Sequence, residues 1–575
     1  MKKMFSFFEG NIKEAILAPF FKLLEALMDL FVPLVVAYVI NEGVGKADNT
    51  AIFKAAGLLL LLAILGMAFS FTAQYFAANA SVSYAGKLRQ ALFEHIQTLS
   101  YKEIDTLGTD TLITRITSDV NQVQSGLNLA LRLLLRSPFI VFGAMIMAFT
   151  IDVKSALIFL VTIPILSMVV YFIMLKSIPL YTKAQESLDG LSKHTRENLD
   201  GVRVIRAFNH EEEEIKEFNA RSEAITKINE TVGSLSAYMN PLTYAIVNIA
   251  TIVLIRNGAI YVGTGTLNQG NVVALYNYMA QIIVELIKLA SLTITINRSL
   301  ACARRINSIF NIETSIKYKD SDPDNDQNEC KVEFDDVSFA YGVEGEDAIS
   351  DINFKVKNKE TIGIIGGTGS GKSTIVNLIP RFYDVNKGEV KVDGIDVRDY
   401  PRGQLIKKIG IVPQKAVLFS GTIRENLKWG NENASDEDLY EALRIAQALE
   451  VVESKTNKLD EIVEQGGRNF SGGQRQRLTI ARALVKKPEI LILDDSASAL
   501  DFMTDYKLRK AISELNMTIF IVSQRSSSVM NCDRIIVMDD GKLVGFDKHE
   551  KLLKENKVYQ EIYYSQFPKE VSDEE

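Results

Sequence analysis

The chain has 575 residues, 47% of them hydrophobic, and a formal net charge of −7. That length exceeds one ordinary domain and allows several cores. The acidic balance, with no basic cluster interleaved with aromatics, excludes a nucleic-acid-binding surface as the main function. Cys302, Cys330 and Cys532 are far apart and form no CxxC pair, which excludes a zinc ribbon or a disulfide framework.

The first segment, MKKMFSFFEGNIKEAILAPFF, puts basic residues before apolar ones, but Glu9, Lys13 and Glu14 interrupt any signal-peptide core. It reads as an amphipathic helix lying on the inner membrane surface. Two segments then lack charge over nearly the length a spanning helix needs, Ala55–Ala73 and Ser155–Leu175. Four more candidates are less clean: Phe20–Asn41, Leu131–Ile151, Pro241–Val262 and Val272–Ile296. They carry Glu25 and Asp29, Arg132 and Arg136, Arg256 and Asn257, and Glu285 and Lys288 respectively. Arg256 suits a position near the outer helix end, where its stem snorkels toward water. Glu25, Asp29, Glu285 and Lys288 either line a polar cavity or form structural ion pairs, and the sequence leaves both open.

Six spans give a consistent charge layout. The loops assigned outside, Asn41–Thr50, Asp152–Lys154 and Gly263–Gly270, are short and poor in Lys and Arg. The inside loops Lys87–Asn128 and Lys176–Ser236 are rich in them. The positive-inside rule then puts the N-terminus in the cytosol and makes the chain a multi-pass protein of the cell membrane. Both inside loops keep helical periodicity. Each has an expected helix break, near Thr106–Thr109 and near Phe208–Glu211.

The acidic stretch Ser321–Glu329 and the SDEE tail read as solvated linker and terminus. The expected organisation is a transmembrane domain over 1–315, a linker over 316–330, and a soluble α/β domain over 331–575. In the last, Lys331–Tyr341 alternates like a strand and Thr361–Gly366 is a buried strand. It runs into GGTGSGKST, that is Gly366, Gly367, Thr368, Gly369, Ser370, Gly371, Lys372, Ser373 and Thr374, and then an apolar helix.

Strand, Gly-rich loop and helix is the setting a phosphate-binding loop requires. Its backbone N–H groups and the helix N-terminus favour anions. Lys372 is expected on the β- and γ-phosphates of ATP, and the Ser373 hydroxyl on Mg²⁺. A second buried strand, Glu489–Ser496, ends in carboxylates, and Asp494 suits the Mg²⁺ shell. Upstream, Ser471, Gly472, Gly473 and Gln474 open another helix as a second anion-binding start. One nucleotide needs only one such grip, so the second makes sense closing on ATP held by another chain.

The order Tyr341, phosphate loop, Gln414, SGGQ, Walker-B Asp494, SALD (Ser498–Asp501) and the loop at Gln524 resembles ATP-binding cassette (ABC) proteins. The six-span half resembles their exporters, so the likeness covers nearly the whole chain. The implied architecture is a six-helix all-α transmembrane domain followed by an α/β P-loop cassette. The resemblance also implies that Tyr341 stacks on adenine and that Gln414 touches Mg²⁺ and senses the membrane domain. SALD would run along a dimer seam, and the breaks near Leu107–Leu112 and Phe208–Glu211 would be coupling helices that dock on cassettes.

The chain departs from that pattern at two positions. Asp495 stands where the family places a water-polarising Glu, and Gln524 where it places a switch His. Losing one methylene withdraws the carboxylate by about 1.5 Å, and a misplacement of about 1 Å costs roughly 100-fold in rate. Gln524 can donate a hydrogen bond but cannot carry an imidazolium charge. Such a site is expected to bind ATP firmly and hydrolyse it slowly. That resembles the degenerate-site subunit of heterodimeric multidrug ABC exporters, whose partner half supplies the Glu and His. The X-loop region Glu464–Asn469 also departs from the common GERG form.

Two function classes follow. One is ATP-driven export of amphiphilic small molecules or lipids, with a second exporter half and membrane lipids as partners and no nucleic acid. The other is an ATP-gated regulatory or channel-like protein whose output is binding.

Overall fold

A computed structural model describes residues 4, 6–319, 330–342, 345–496 and 499–567. The acidic segment Ser321–Glu329, the SDEE tail and Ser498 of SALD lie outside them. The chain divides into two compact units. The first comprises Met1–Gln97 with Gly108–Ile312, and the second Thr98–Leu107 with Glu313–Glu575.

The first unit is all helix. Among the described residues six helices are long and apolar enough to cross a membrane: Ile12–Val44, Asn49–Thr98, Thr109–Ile151, Val153–Asp200, Glu211–Gly263 and Gln269–Phe310. Each contains one of the six spans read from hydropathy. No water competes for backbone groups in a bilayer, so helices that satisfy their own N–H and C=O groups are favoured there. Side-chain placement is inverted relative to a soluble bundle. In the second span the buried positions are mostly small, among them Ala55, Ala73, Ala77, Ala80 and Ala85. Leu60, Leu61, Ile64 and Phe71 face outward. Small residues let helices approach closely, while lipid solvates the large apolar ones.

Two boundaries differ from expectation. Ile12–Tyr38 is one continuous helix, so the segment after Asn11 runs into the first span and is not a separate surface helix. The N-terminal residues fold back on the second span, where the Tyr84 hydroxyl donates to the Met4 carbonyl (3.1 Å) and Phe8 packs on Tyr84. The second difference concerns the breaks. Gly108, at φ 74°, and Asn209, at φ 58°, interrupt the helices near the expected places. The separate elements, however, are the short helices just before them, Tyr101–Leu107 and Val202–Ala207. Gly108, at φ 74° and ψ 138°, takes a positive-φ backbone open mainly to glycine where the first of these ends. Arg256 is exposed seven residues before the end of Met239–Gly263.

The second unit contains a six-stranded sheet in the order Lys542–Asp547, Arg534–Asp539, Thr361–Gly366, Thr518–Val522, Ile490–Asp494, Ile409–Val412. All neighbours are parallel except the first pair. Helices cover both faces, which is why strands such as Ile490–Asp494 are buried at every position. A four-stranded sheet built on Cys330–Phe339 completes this unit. The helix Tyr101–Leu107 also belongs to it. The Tyr101 ring lies 4.5 Å from that of Phe382, and the Tyr383 hydroxyl donates to Asp105 at 2.6 Å. The three cysteines are free thiols.

Phe520 is fully buried in the central strand. Phe520→Ala should cost about 3–5 kcal/mol. The chain's single tryptophan, Trp429, lies in the second unit and is 67% exposed. Guanidinium denaturation followed by its fluorescence should show that unit unfolding at clearly lower denaturant than in the parent chain.

Candidate nucleotide-binding site

The parallel ladder delivers three loops to one edge. Val522 pairs with Ile364 on one side and with Asp494 on the other. The chain leaving each strand therefore emerges at the same level, at the carboxyl ends where α/β sheets bind ligands. A pocket of about 340 Å³ opens there. Its wall includes Tyr341, every residue from Thr368 to Thr374, Gln414, Asp494, Asp495 and Gln524. The structure thus brings together nearly all the expected groups of this chain's own site.

The phosphate loop is shaped by its glycines. Gly369 and Gly371 have φ of 83° and 92°, and a Cβ on Gly371 would meet Ile349 Cγ2 at 2.5 Å. Lys372 is buried and folds back, donating to the Gly366 carbonyl (3.0 Å), to the Gly367 carbonyl and to the Ser370 hydroxyl. Gly366 and Gly367 thus meet the lysine rather than line the pocket. Burial lowers the pKa of the Lys372 ammonium. An arriving phosphate would replace neutral carbonyls with a full charge and favour the protonated form.

The Ser373 hydroxyl donates to Asp494 at 3.0 Å. These are hard oxygen donors placed together, a pairing that fits Mg²⁺ bound through one carboxylate and nucleotide phosphates. Burial is the first cause that raises the Asp494 pKa, and the neighbouring Asp495 charge adds to it. Asp495 sits at φ 44°, a left-handed backbone that Asp tolerates better than bulkier residues. Burial raises its pKa as well, opposed by a hydrogen bond from Gln414 and by the charges of Arg525 and Lys372. Gln414 was expected on the metal; among this chain's own groups its partner is Asp495.

Tyr341 is half-exposed, and its hydroxyl lies 3.1 Å from that of Thr374. Gln524 is exposed at the pocket, its backbone carbonyl accepting from the side chain of Gln566 at 2.8 Å. Gln566 also accepts from the Ser526 N–H at 2.7 Å. This latch on the switch loop was not anticipated. It spans 42 residues and leaves no local pattern.

Ser471, Gly472, Gly473 and Gln474 are not in the pocket wall. They open the helix Gly472–Val485 through a capping box. The Ser471 hydroxyl accepts from the Gln474 N–H, and the Gln474 side chain accepts from the Ser471 N–H. A Cβ on Gly472 would meet nothing within 4 Å. The divergent X-loop forms a tight turn with Gly466 and Gly467 at φ 71° and 66°. The Asn469 side chain closes it by accepting from the Glu464 N–H and donating to the Ile462 carbonyl. Asp501 caps the helix Phe502–Ser513.

Residues 15–286 match the ABC transporter transmembrane region, and residues 349–498 match the ABC transporter family. The chain is 35% identical over 573 residues to YfiB of Bacillus subtilis, an uncharacterized ABC transporter ATP-binding protein, covering 100% of both chains. It is 34% identical over 480 residues to the ATP-dependent lipid A-core flippase of Desulfotalea psychrophila, covering 83% of this chain and 84% of that one. Its fold is similar to the structure of a bacterial Atm1-family ABC exporter with ATP bound. The TM-score is 0.80 at 22% identity, over 98% of this chain and 99% of the other.

The raised pKa of Asp495 sets a pH dependence. A carboxyl whose folded pKa lies above its unfolded value, about 3.9, keeps its proton more readily when folded. It costs no stability below the unfolded value and an increasing amount as pH rises through the folded one. Asp495→Asn should therefore raise the melting temperature at pH 7, with the advantage shrinking as pH falls through the raised folded pKa and gone by about pH 4. Melting curves of both chains across that range measure it.

Proposed function

The chain belongs to the ABC transporter family, and we propose that it is the ATP-retaining half of a heterodimeric exporter of amphiphilic small molecules or lipids. It is a multi-pass membrane protein with an ABC-type ATPase domain in the cytosol. The observation that carries the finer reading is the composition of one pocket. An intact phosphate loop and the Ser373–Asp494 pair share it with a shortened Asp495 and an uncharged Gln524.

In this reading the loop N–H groups and Lys372 hold the ATP phosphates in this chain. Tyr341 offers a ring face to adenine. Ser373 and Asp494 hold Mg²⁺, which when bound neutralises phosphate charge. Asp495, one methylene short and tied to Gln414, polarises the attacking water poorly, and Gln524 supplies no positive charge to the transition state. ATP then remains bound through many turnovers of the other half.

SGGQ serves the partner. Its position outside this chain's pocket and the open space around Gly472 support an action in trans on the partner's ATP. Tyr101–Leu107 and Val202–Ala207, the latter with exposed Val204 and followed by exposed Phe208, are this chain's candidates for the coupling helices that the resemblance implies. A relative named as a lipid flippase, together with apolar spans that carry buried charges, supports amphiphilic cargo.

Purified alone, the chain should show little ATPase activity, because any self-dimer holds two blunted sites. Asp495→Glu with Gln524→His should raise it by about 100-fold if geometry and charge are the whole defect. No increase would place the defect elsewhere, with the X-loop the first candidate.

In the assembled heterodimer, Gly472→Glu should abolish ATP turnover by blocking the partner's γ-phosphate. Lys372→Ala should leave a measurable remainder, because it weakens closure without removing the chemistry. Steady-state ATPase at saturating ATP, with assembly verified, compares them. A Lys372 variant deader than the Gly472 variant would refute the division of labour.

A further inference from the structure

Charged residues in the spans converge on one place. Asp29, Arg136 and Glu285 lie on the first, third and sixth spans, fifteen residues from Val44, fifteen from Ile151 and sixteen from Gln269. Each is thus about 23 Å of helix from the outer end, less than the roughly 30 Å thickness of the hydrocarbon core. Arg136 binds Glu285 at 2.7 Å and Asp29 at 2.9 Å. Ser137 donates to the second oxygen of Glu285 at 2.7 Å, and Lys288 reaches its first at 2.9 Å. Lys22 pairs with Glu25. A π-helical turn, Ala130–Leu134, immediately precedes Arg136, the kind of helix insertion that marks functional positions.

The members of this network are not equivalent. The Glu285 side chain is 4% exposed and the Arg136 side chain 11%, whereas Asp29 is 43% exposed. Glu285 has three partners on its two oxygens. Arg136 is the only side-chain hydrogen-bond partner of Asp29 among the described residues. Asp29, Arg136 and Glu285 share the wall of a cavity of about 470 Å³, so its charged side chains are two carboxylates and one guanidinium. Lys22 and Lys288 are not part of that wall. Gln281 contributes a buried oxygen with no hydrogen-bond partner among the described residues, and Val32, Pro33, Ile140 and Val284 give it an apolar side. That volume suits a drug-sized ligand held by apolar walls and a few polar groups.

We propose that this cavity binds amphiphilic organic cations, with the Asp29 carboxylate as the group that selects their charge. The inference rests on the export reading above and names the class of cargo. An incoming cation takes the place of the guanidinium on Asp29, and Arg136 keeps its bond to Glu285. No buried charge is left unpaired by the exchange, and an unpaired one would be the costly outcome. The apolar wall takes the hydrophobic body of the ligand. An anion would face two carboxylates, and its natural partner, Arg136, is already held by both.

Tetraphenylphosphonium and tetraphenylborate have the same shape and opposite charge. Equilibrium binding of each to the detergent-solubilised transporter tests the proposal, using the parent chain, Asp29→Asn and Asp29→Glu. Asp29→Asn should weaken phosphonium binding by about tenfold or more, as expected for losing a charge pair away from bulk water. Asp29→Glu should retain most of the affinity, and the parent should prefer the cation. Unchanged phosphonium affinity in Asp29→Asn, or tighter binding of the borate by the parent, would overturn it. So would loss of the assembled dimer in Asp29→Asn, which would put the carboxylate at a subunit seam instead. Export itself is read separately, as ATP-dependent uptake of a labelled phospholipid into inverted vesicles, so a failure here is distinguishable from failure of the export reading.

Discussion

The parallel pairing of Thr361–Gly366, Thr518–Val522 and Ile490–Asp494 is the interaction on which the cassette depends. Because Val522 is in register with both Ile364 and Asp494, the phosphate loop, the acidic pair and the switch loop leave the sheet side by side. A slip of one residue would turn every side chain on a strand to the opposite face, and Asp494 would no longer meet Ser373. Close packing of particular side chains against the helices on both faces resists that slip, so the core and the site are held by the same residues.

In the proposed reading the two unusual residues, Asp495 and Gln524, would act on different parts of the same chemistry. Asp495 occupies a left-handed position just past the strand end and is restrained by Gln414. Its shorter reach is thus not compensated by freedom to swing. Gln524 sits on a loop whose backbone is clamped by Gln566 near the end of the described chain. Neither change disturbs the groups that grip phosphate. In the proposed reading, a site that keeps its binding groups with blunted hydrolytic ones would hold the two halves of a transporter together.

The membrane unit solves a different electrostatic problem. Ionisable side chains in hydrocarbon are costly unless paired or facing a cavity. Here both solutions are used at once, with Glu285 fully engaged and Asp29 half open. The consecutive residues Arg136 and Ser137 both reach Glu285, one through the guanidinium and one through the hydroxyl. The sequence left open whether these charges pair or line a cavity. The structure pairs Glu25 with Lys22 and Lys288 with Glu285, and has Asp29 and Glu285 both pair and line the cavity.

The sequence alone determined the elements whose signals are local. Runs of apolar residues mark the spans because a helix must match the bilayer thickness. The order strand, glycine loop, lysine and helix marks the phosphate grip because only that backbone presents its N–H groups to an anion. Even Gly108 and the Phe208–Glu211 segment were legible as breaks, although the short helices lie just before them and not across them. Only the tertiary structure decided the contacts between segments remote in sequence: Gln414 on Asp495, Gln566 on the switch loop, and Asp29, Arg136 and Glu285 around one cavity. Hydropathy and motif spacing describe each segment by itself. Such pairings depend on helix rotation and strand register, which are set when the segments pack.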